Sequence, residues 1–203
     1  MTRAFARAFC FALAAVLVAA PLRAQTTTPN FHIWTHGTTL AVTGGAAVAS
    51  SDVGAMAALT MGWEITPRMG IEGTGAWLDR HDGAEAFSGA IAFQTSLMRP
   101  RPAAPFVEGG FGLYRASFDR TRSSIPSFYA DRIAAAGVAG TLMNTFTDPA
   151  FFVGAGYNAF ISRHIAIRPQ VEATIVTRNS QTYIVTSVAI RAAYHFEDHP
   201  ITP

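Results

Sequence analysis

The segment from Phe151 to Phe196 constrains the fold most, because apolar and polar residues alternate along two successive stretches of it. In the first stretch one parity carries Ile165, Ile167, Pro169, Val171, Ala173 and Ile175, and the other carries Arg168, Gln170, Glu172, Thr174 and Arg178. In the second, one parity carries Ile184, Val188, Ile190, Ala192, Tyr194 and Phe196, and the other carries Ser187, Ala189, Arg191 and His195. A period of two predicts β-strands. Small residues interrupt the charged face, as a narrow closed interior requires, so we predict a barrel that is apolar outside and polar inside.

The same alternation recurs in earlier parts of the chain. It predicts strands over residues 39–48, 59–66, 71–78, 85–97, 106–118 and 151–161. With the two strands described above, this gives an antiparallel up-and-down transmembrane β-barrel of about eight strands, each long enough for a tilted span of ~9–11 residues. The barrel is predicted to occupy residues 38–196.

The connections between these strands are asymmetric. Both chain ends and the turns at residues 66–68, 99–105 and 162–164 fall on one side, predicted to be periplasmic, and the longest connection, from Asp119 to Pro149, falls on the outer side. Within that connection, the apolar run from Ile133 to Met143 could form another strand or a short helix. One additional strand would break the even count, so we predict that this run belongs to a loop.

The first 24 residues predict a cleaved secretory signal. Arg3 and Arg7 precede an apolar run that ends near Ala20, and Ala24 offers a cleavage site before a lead-in over residues 25–37. An uncleaved anchor helix is the alternative, but the run is shorter than the ~20 residues that span a bilayer. Cys10 lies within the leader, so the mature chain is predicted to have neither disulfides nor a lipid anchor.

The charge of the mature chain argues against nucleic acid as a partner. Three of the 15 basic residues lie in the predicted leader, so 12 basic residues remain against 13 acidic ones and the mature chain has a net charge of about −1. Charged residues make up 14% of the chain, well below the ~25% that is usual for soluble domains. This low fraction favours a membrane protein over a cytosolic one.

Two hairpins carry a resemblance to a known family. Residues 62–72 and 159–168 each read as strand, tight Ser/Thr-Arg turn and strand, and glycine-rich strands begin at residues 106–110 and 151–156. These features resemble the small outer-membrane barrels of the OmpA-like and opacity-type porin superfamily. The resemblance covers most of the mature chain. It implies a monomer in the outer-membrane lipid of a Gram-negative bacterium, inserted by the barrel assembly machinery, with no cofactor.

The chain departs from that family at its end. Barrels of this kind commonly finish on an aromatic residue that the assembly machinery reads, whereas this sequence continues from Glu197 to Pro203 after its last aromatic strand. We treat residues 197–203 as a C-terminal tail. Which end signal directs assembly therefore stays open.

Charged residues with inward parity form the first candidate site. They are Glu64, Glu72, Glu108, Arg168, Glu172 and Arg191. Side chains fill the interior of a barrel of about eight strands, so these charges are predicted to pair and to plug the lumen. A gate or a narrow polar pore is the alternative. Because carboxylates outnumber arginines, we expect one of them to be protonated or paired from a loop.

Two further sets of residues are candidates for contacts outside the lumen. Aromatic residues with outward parity lie near predicted strand ends, as in the interfacial girdles of membrane barrels: Trp63, Trp77, Phe87, Phe151, Tyr194 and Phe196. The long connection mixes arginines with aromatic residues, a combination enriched in binding hot spots: Arg120, Arg122, Phe128, Tyr129 and Arg132. We predict that this second set contacts any extracellular ligand.

Metal binding and catalysis are disfavoured by the sequence. The pairs His32 and His36, and His195 and His199, have no cysteine and no clear acidic partner, so we predict no metal site. Some barrels similar to this one act on lipid A, but the lipid A deacylase family pairs a His with a Ser two residues on, and no His-x-Ser occurs here.

The predicted role is therefore non-enzymatic. Ser123, Ser124 and Ser127 in the long connection have no recognisable base partner. We predict a plugged outer-membrane barrel with a structural, envelope or surface-interaction role. The alternatives are a porin-like transporter of small or hydrophobic molecules and, third, a soluble periplasmic ligand-binding barrel of inverted polarity.

Overall fold

A computed structural model describes residues 37–49, 52–66, 68–80, 84–98, 103–121, 125–135, 143–162 and 164–196. The predicted signal peptide, the lead-in up to residue 36 and the tail at 197–203 lie outside the described residues, as does Arg122.

Eight strands and one helix make up the described chain. The strands are β1 (Thr38–Ala49), β2 (Asp52–Thr66), β3 (Met69–Asp79), β4 (Ala84–Ser96), β5 (Ala103–Asp119), β6 (Met143–Phe160), β7 (Ile165–Arg178) and β8 (Gln181–His195). Helix α1 (Ser127–Ala135) lies between β5 and β6. None of the helical structure in the described residues is both long and apolar enough to cross a membrane.

Each strand pairs antiparallel with the next along the chain, and the first pairs with the last. The β1–β8 ladder runs from Thr39 opposite His195 to Ala49 opposite Val185, so the sheet has no free edge. This closure gives each of the eight strands a hydrogen-bonded neighbour on both sides, which a sheet in lipid requires. The predicted fold class, an antiparallel up-and-down barrel of eight strands, is confirmed.

Alternation along each strand decides which side chains face the lumen. In β8 every odd-numbered residue from Tyr183 to His195 is buried, whereas the even-numbered residues are exposed or half-exposed. The outer surface carries large apolar side chains on every side of the barrel, among them Leu59, Met61, Ile91, Phe93, Phe111, Leu113, Val153 and Ile190. A belt of this kind is unfavourable in water and suited to lipid.

The predicted bounds of the longest connection were wrong at its C-terminal end. β6 begins at Met143 and pairs with β5 along its whole length, down to Met143 opposite Asp119. Its pairing with β7 begins only at Ala150, so the β5–β6 hairpin extends beyond the neighbouring strand. Pro149 lies just outside that second ladder, where its missing N–H breaks no bond to β7. The connection is therefore residues 120–142, and it contains α1.

Candidate functional site

An ion-pair bridge crosses the middle of the lumen. Arg168 on β7 and Arg191 on β8 lie directly opposite each other in the β7–β8 ladder, and Glu72 comes from β3, halfway round the barrel from β7. Arg168 Nη1 donates to Glu72 Oε1 at 2.8 Å, and Arg191 Nη1 donates to Glu72 Oε2. All three side chains are buried. One carboxylate thus holds together two guanidinium groups that would otherwise repel each other.

Further contacts fix Arg168 within the lumen. Its Nη2 donates to the Gln94 side-chain oxygen on β4, and its guanidinium carbon lies 4.5 Å from the centre of the Phe106 ring on β5. Phe106 is itself buried. Arg168 therefore connects four walls of the barrel, β3, β4, β5 and β7.

The remaining three predicted lumen charges form no part of this bridge. Glu64 is half-buried near the end of the barrel that holds Thr38 and His195, here called the terminal end, where its Oε1 is 3.3 Å from Nδ1 of His195. Glu108 Oε1 has no hydrogen-bond partner, and Glu172 accepts one long hydrogen bond, from Thr174 Oγ1 at 3.4 Å. Among the described residues neither Glu108 nor Glu172 forms an ion pair.

The opposite end of the lumen, here called the loop end, is filled by aromatic side chains. Tyr183 of β8 stacks with Phe128 at 5.7 Å between ring centres and meets Tyr129 edge-on at 5.5 Å. Tyr129 also lies 4.9 Å from the ring of Phe118. These rings form one buried cluster with Tyr114 and Phe152, and Phe146 packs against it.

Helix α1 supplies part of this cluster, which corrects the prediction for two surface candidates. Tyr129 and Ile133 are four residues apart, and with Phe128 they form the buried face of the helix. Phe128 and Tyr129 therefore face the lumen, not an external ligand. Burial raises the pKa of the Tyr129 hydroxyl, which stays neutral. Arg120, by contrast, is exposed at the start of the connection.

A buried carboxylate anchors the helix to the barrel. Asp148, in the part of β6 just past its ladder with β7, accepts hydrogen bonds from Arg132 Nη1 of α1 at 2.6 Å and from Arg178 Nη1 of β7 at 2.9 Å. Arg132 also lies over the Phe146 ring, 4.2 Å from its centre. Arg132, predicted to contact a ligand, is thus engaged within the protein.

The aromatic cluster and its anchor were missed by sequence reasoning, although two signals pointed to them. Tyr114, Phe118 and Tyr183 have inward parity at the loop end, where a polar channel would not place aromatic rings. The spacing of Tyr129 and Ile133 is that of a helix face. Neither signal shows that the two sets of rings meet, because that contact depends on where α1 packs against the barrel.

The outward aromatic residues lie where their parity places them. The side chains of Trp63, Phe87, Phe151, Tyr194 and Phe196 are exposed on the outer surface, and Trp77 is half-buried beside Phe87. At the terminal end, Tyr194 stacks with His164 at 5.5 Å between ring centres and meets Phe196 at 4.8 Å.

Of the four histidines considered as metal ligands, one lies within the described residues. His195 faces the lumen, where its Nδ1 is 3.1 Å from Thr39 Oγ1, while His32, His36 and His199 lie outside the described residues. Within the described part of the chain, no three His, Cys, Asp or Glu side chains are grouped so as to hold a metal ion.

Comparison with known proteins supports the fold alone. No protein-family model matches the sequence, and no curated protein is similar to it. Among solved structures, Neisserial surface protein A is similar with a TM-score of 0.59 at 12% identity, over 79% of this chain and 97% of that one. The outer membrane protein OprG from Pseudomonas aeruginosa gives a TM-score of 0.50 at 13% identity, over 81% and 98%. The chain therefore has the fold of the small β-barrels of the bacterial outer membrane.

Proposed function

We propose that the protein is an integral outer-membrane barrel with a closed lumen, serving a structural role in the cell envelope. The observation that carries this proposal is the bridge from Glu72 to Arg168 and Arg191, because it spans the lumen from one wall to the opposite one. Removing a charge from water costs several kcal/mol unless it is paired, so these groups resist separation and hydration.

The aromatic cluster supports the same proposal independently of the charges. Phe128 and Tyr129 of α1 close the loop end against Tyr183, and Asp148 holds the helix there through Arg132. A small cavity of about 20 Å³ lies between the cluster and the bridge, with room for about one or two water molecules. A diffusing molecule would have to displace both closures.

Conductance across a planar lipid bilayer tests the closed lumen. The purified, refolded protein is expected to insert and to give no stable open channel. A matched preparation of Glu72→Gln, which weakens the bridge but keeps the aromatic cluster, is expected to stay non-conducting as well. Large, steady single-channel currents from the wild-type protein would contradict the proposal and favour the alternative role of a porin-like transporter.

Cell fractionation separates the membrane barrel from the soluble periplasmic alternative. We expect the protein in an outer-membrane pellet that survives a urea wash, with gel mobility that changes on heating. Release with the periplasmic contents would rule out both membrane roles. Because the apolar belt covers the outside of the barrel, release without detergent is not expected.

A surface-interaction role would use the connection over residues 120–142. In the proposed topology this connection lies outside the cell and the chain ends lie in the periplasm. Arg120 and Asp131 are exposed there, whereas Phe128 and Tyr129 are not. Protease added to intact cells is expected to cut first within this connection. Cleavage that requires ruptured cells would reverse the topology.

A further inference from the structure

Two lumen carboxylates face each other across a glycine. Glu108 on β5 lies opposite Gly154 on β6, and Gly154 in turn lies opposite Glu172 on β7. A Cβ atom at Gly154 would come within 2.6 Å of Glu108 Oε1, so the Glu108 side chain lies over the glycine. The missing side chain at position 154 therefore leaves Glu108 and Glu172 adjacent on one wall of the lumen.

The charges near these two residues do not balance. Arg168 and Arg191 both donate to Glu72, and among the described residues no other cation forms an ion pair with Glu108 or Glu172. The cluster thus contains three carboxylates and two guanidinium groups. One negative charge is left uncompensated in an enclosed space, which is strongly unfavourable.

Three residues that carry oxygen atoms without partners line one cavity. Gln170 is only 3% exposed, and its Oε1 has no hydrogen-bond partner. Thr43 Oγ1 and Glu108 Oε1 are likewise buried and without partners. These three residues, with Glu172 and Arg191, line the cavity of about 20 Å³ between the bridge and the aromatic cluster. The cavity is of the size of a single small ion or one to two water molecules.

We propose that this cavity binds one sodium ion through the side-chain oxygens of Glu108, Glu172 and Gln170. Hard cations take oxygen ligands, and a monovalent one matches the single excess negative charge. A water molecule would satisfy the oxygens but would leave the charge uncompensated. A divalent ion would bring a second positive charge beside Arg191, which lines the same cavity. Sodium is the smaller and harder of the two abundant monovalent cations, so it is expected to bind carboxylate oxygens more strongly than potassium does.

Thermal unfolding of the purified barrel in vesicles of zwitterionic lipid tests the site. Melting temperatures are compared in sodium, potassium and N-methylglucamine chloride at equal ionic strength and pH. Sodium is expected to raise the melting temperature saturably, by about 5 °C once in large excess over its dissociation constant, because it binds only the folded state. Equal melting temperatures in all three salts would overturn the proposal, since simple screening does not distinguish these cations.

Three variants locate the effect. Glu172→Gln removes the excess charge and is expected to abolish the sodium shift. Gly154→Ala keeps every charge but displaces Glu108 through the added Cβ, so the shift should fall there too, which covers the case that Glu172→Gln does not fold. Glu85→Gln, at an exposed position of β4, is the matched control and should retain the shift.

The outcomes are distinct from those that test the closed lumen. A sodium shift that persists in both Glu172→Gln and Gly154→Ala would place the ion elsewhere and refute the site. Stability of the wild-type protein that follows pH but not sodium would mean that a proton supplies the missing charge, which also refutes it. Neither result bears on conductance, so a non-conducting barrel without sodium binding would leave the proposed function standing.

Discussion

Replacing Arg168 by alanine tests how much of the stability depends on the bridge. The change removes the hydrogen bonds to Glu72 and Gln94 and the contact with the Phe106 ring. Hydrogen bonds to a charged group contribute about 1.5–3 kcal/mol each, and breaking a buried ion pair costs about 3–5 kcal/mol. Because Arg191 still neutralises Glu72, we expect a loss near 3 kcal/mol.

Urea-induced unfolding in lipid vesicles, followed by tryptophan fluorescence, measures this loss. Arg115→Ala is the control, because Arg115 is exposed on the outer face of β5, and its removal should change the free energy of unfolding by no more than about 0.5 kcal/mol. A double-mutant cycle with Glu72→Gln should give a coupling energy of about 1–3 kcal/mol. If Arg168→Ala unfolds within about 1 kcal/mol of the wild type, the bridge does not hold the barrel together and the reasoning fails.

Three other substitutions test facing, strand packing and the aromatic cluster. Val188→Arg places a charge on the exposed face of β8 and should cost about 2–4 kcal/mol of stability in a bilayer if the residue lies near the midplane. Ala189→Arg, on the inner face, overfills the lumen without that lipid penalty. Unchanged insertion of Val188→Arg would refute the assigned facing. Gly112→Ala should lose about 1–3 kcal/mol of stability in urea unfolding, because its Cβ would lie 1.9 Å from the Gly89 carbonyl oxygen. Gly75→Ala, with open space around its Cβ, is the control and should be neutral. Equal effects of the two substitutions would show that β4 and β5 move apart to make room for the added methyl group. Tyr129→Phe removes a buried hydroxyl that has no partner and should leave the melting temperature unchanged or raise it, so a clear drop would reveal a hydrogen bond to that oxygen.

The barrel could be predicted from the sequence because facing depends on parity alone. In β7 and β8 the inward parity carries Arg168 and Arg191, and both side chains point into the lumen. A period of two leaves only two choices for each strand, and a run of apolar residues on one parity selects between them. The closed eight-stranded architecture follows once every strand has one apolar face and no edge can remain in lipid.

Which lumen charges meet each other could not be predicted in this way. Parity places Glu72, Glu108 and Glu172 on the inner face, but their heights along the axis depend on the tilt and stagger of the strands. That stagger brings Glu72 level with Arg168 and leaves Glu108 and Glu172 beside Gly154. Pairing therefore depends on a property of the whole sheet, which no single strand encodes.

The start of β6 and helix α1 could not be predicted for a different reason. The residues from Met143 to Asp148 are largely polar on both parities, so alternation of apolar and polar residues gives no strand signal there. They form a strand because β5, itself paired with β4 up to Phe118, continues beside them past the point where the β6–β7 ladder ends. Helix α1 is likewise too short to be stable alone, and it depends on burying Tyr129 and Ile133 against the barrel.

In the proposed closed lumen the two closures differ in chemistry, so stability and conduction should respond differently to the loss of one of them. The bridge of Glu72, Arg168 and Arg191 is electrostatic, whereas the loop end is closed by packed rings that α1 brings in from outside the strand pattern. Loss of Arg168 weakens the first closure but does not touch Phe128, Tyr129 or their anchor Asp148. A channel that opened whenever one ion pair broke would need a polar path along its whole length, and the aromatic cluster interrupts that path. The destabilised Arg168→Ala barrel should therefore remain non-conducting.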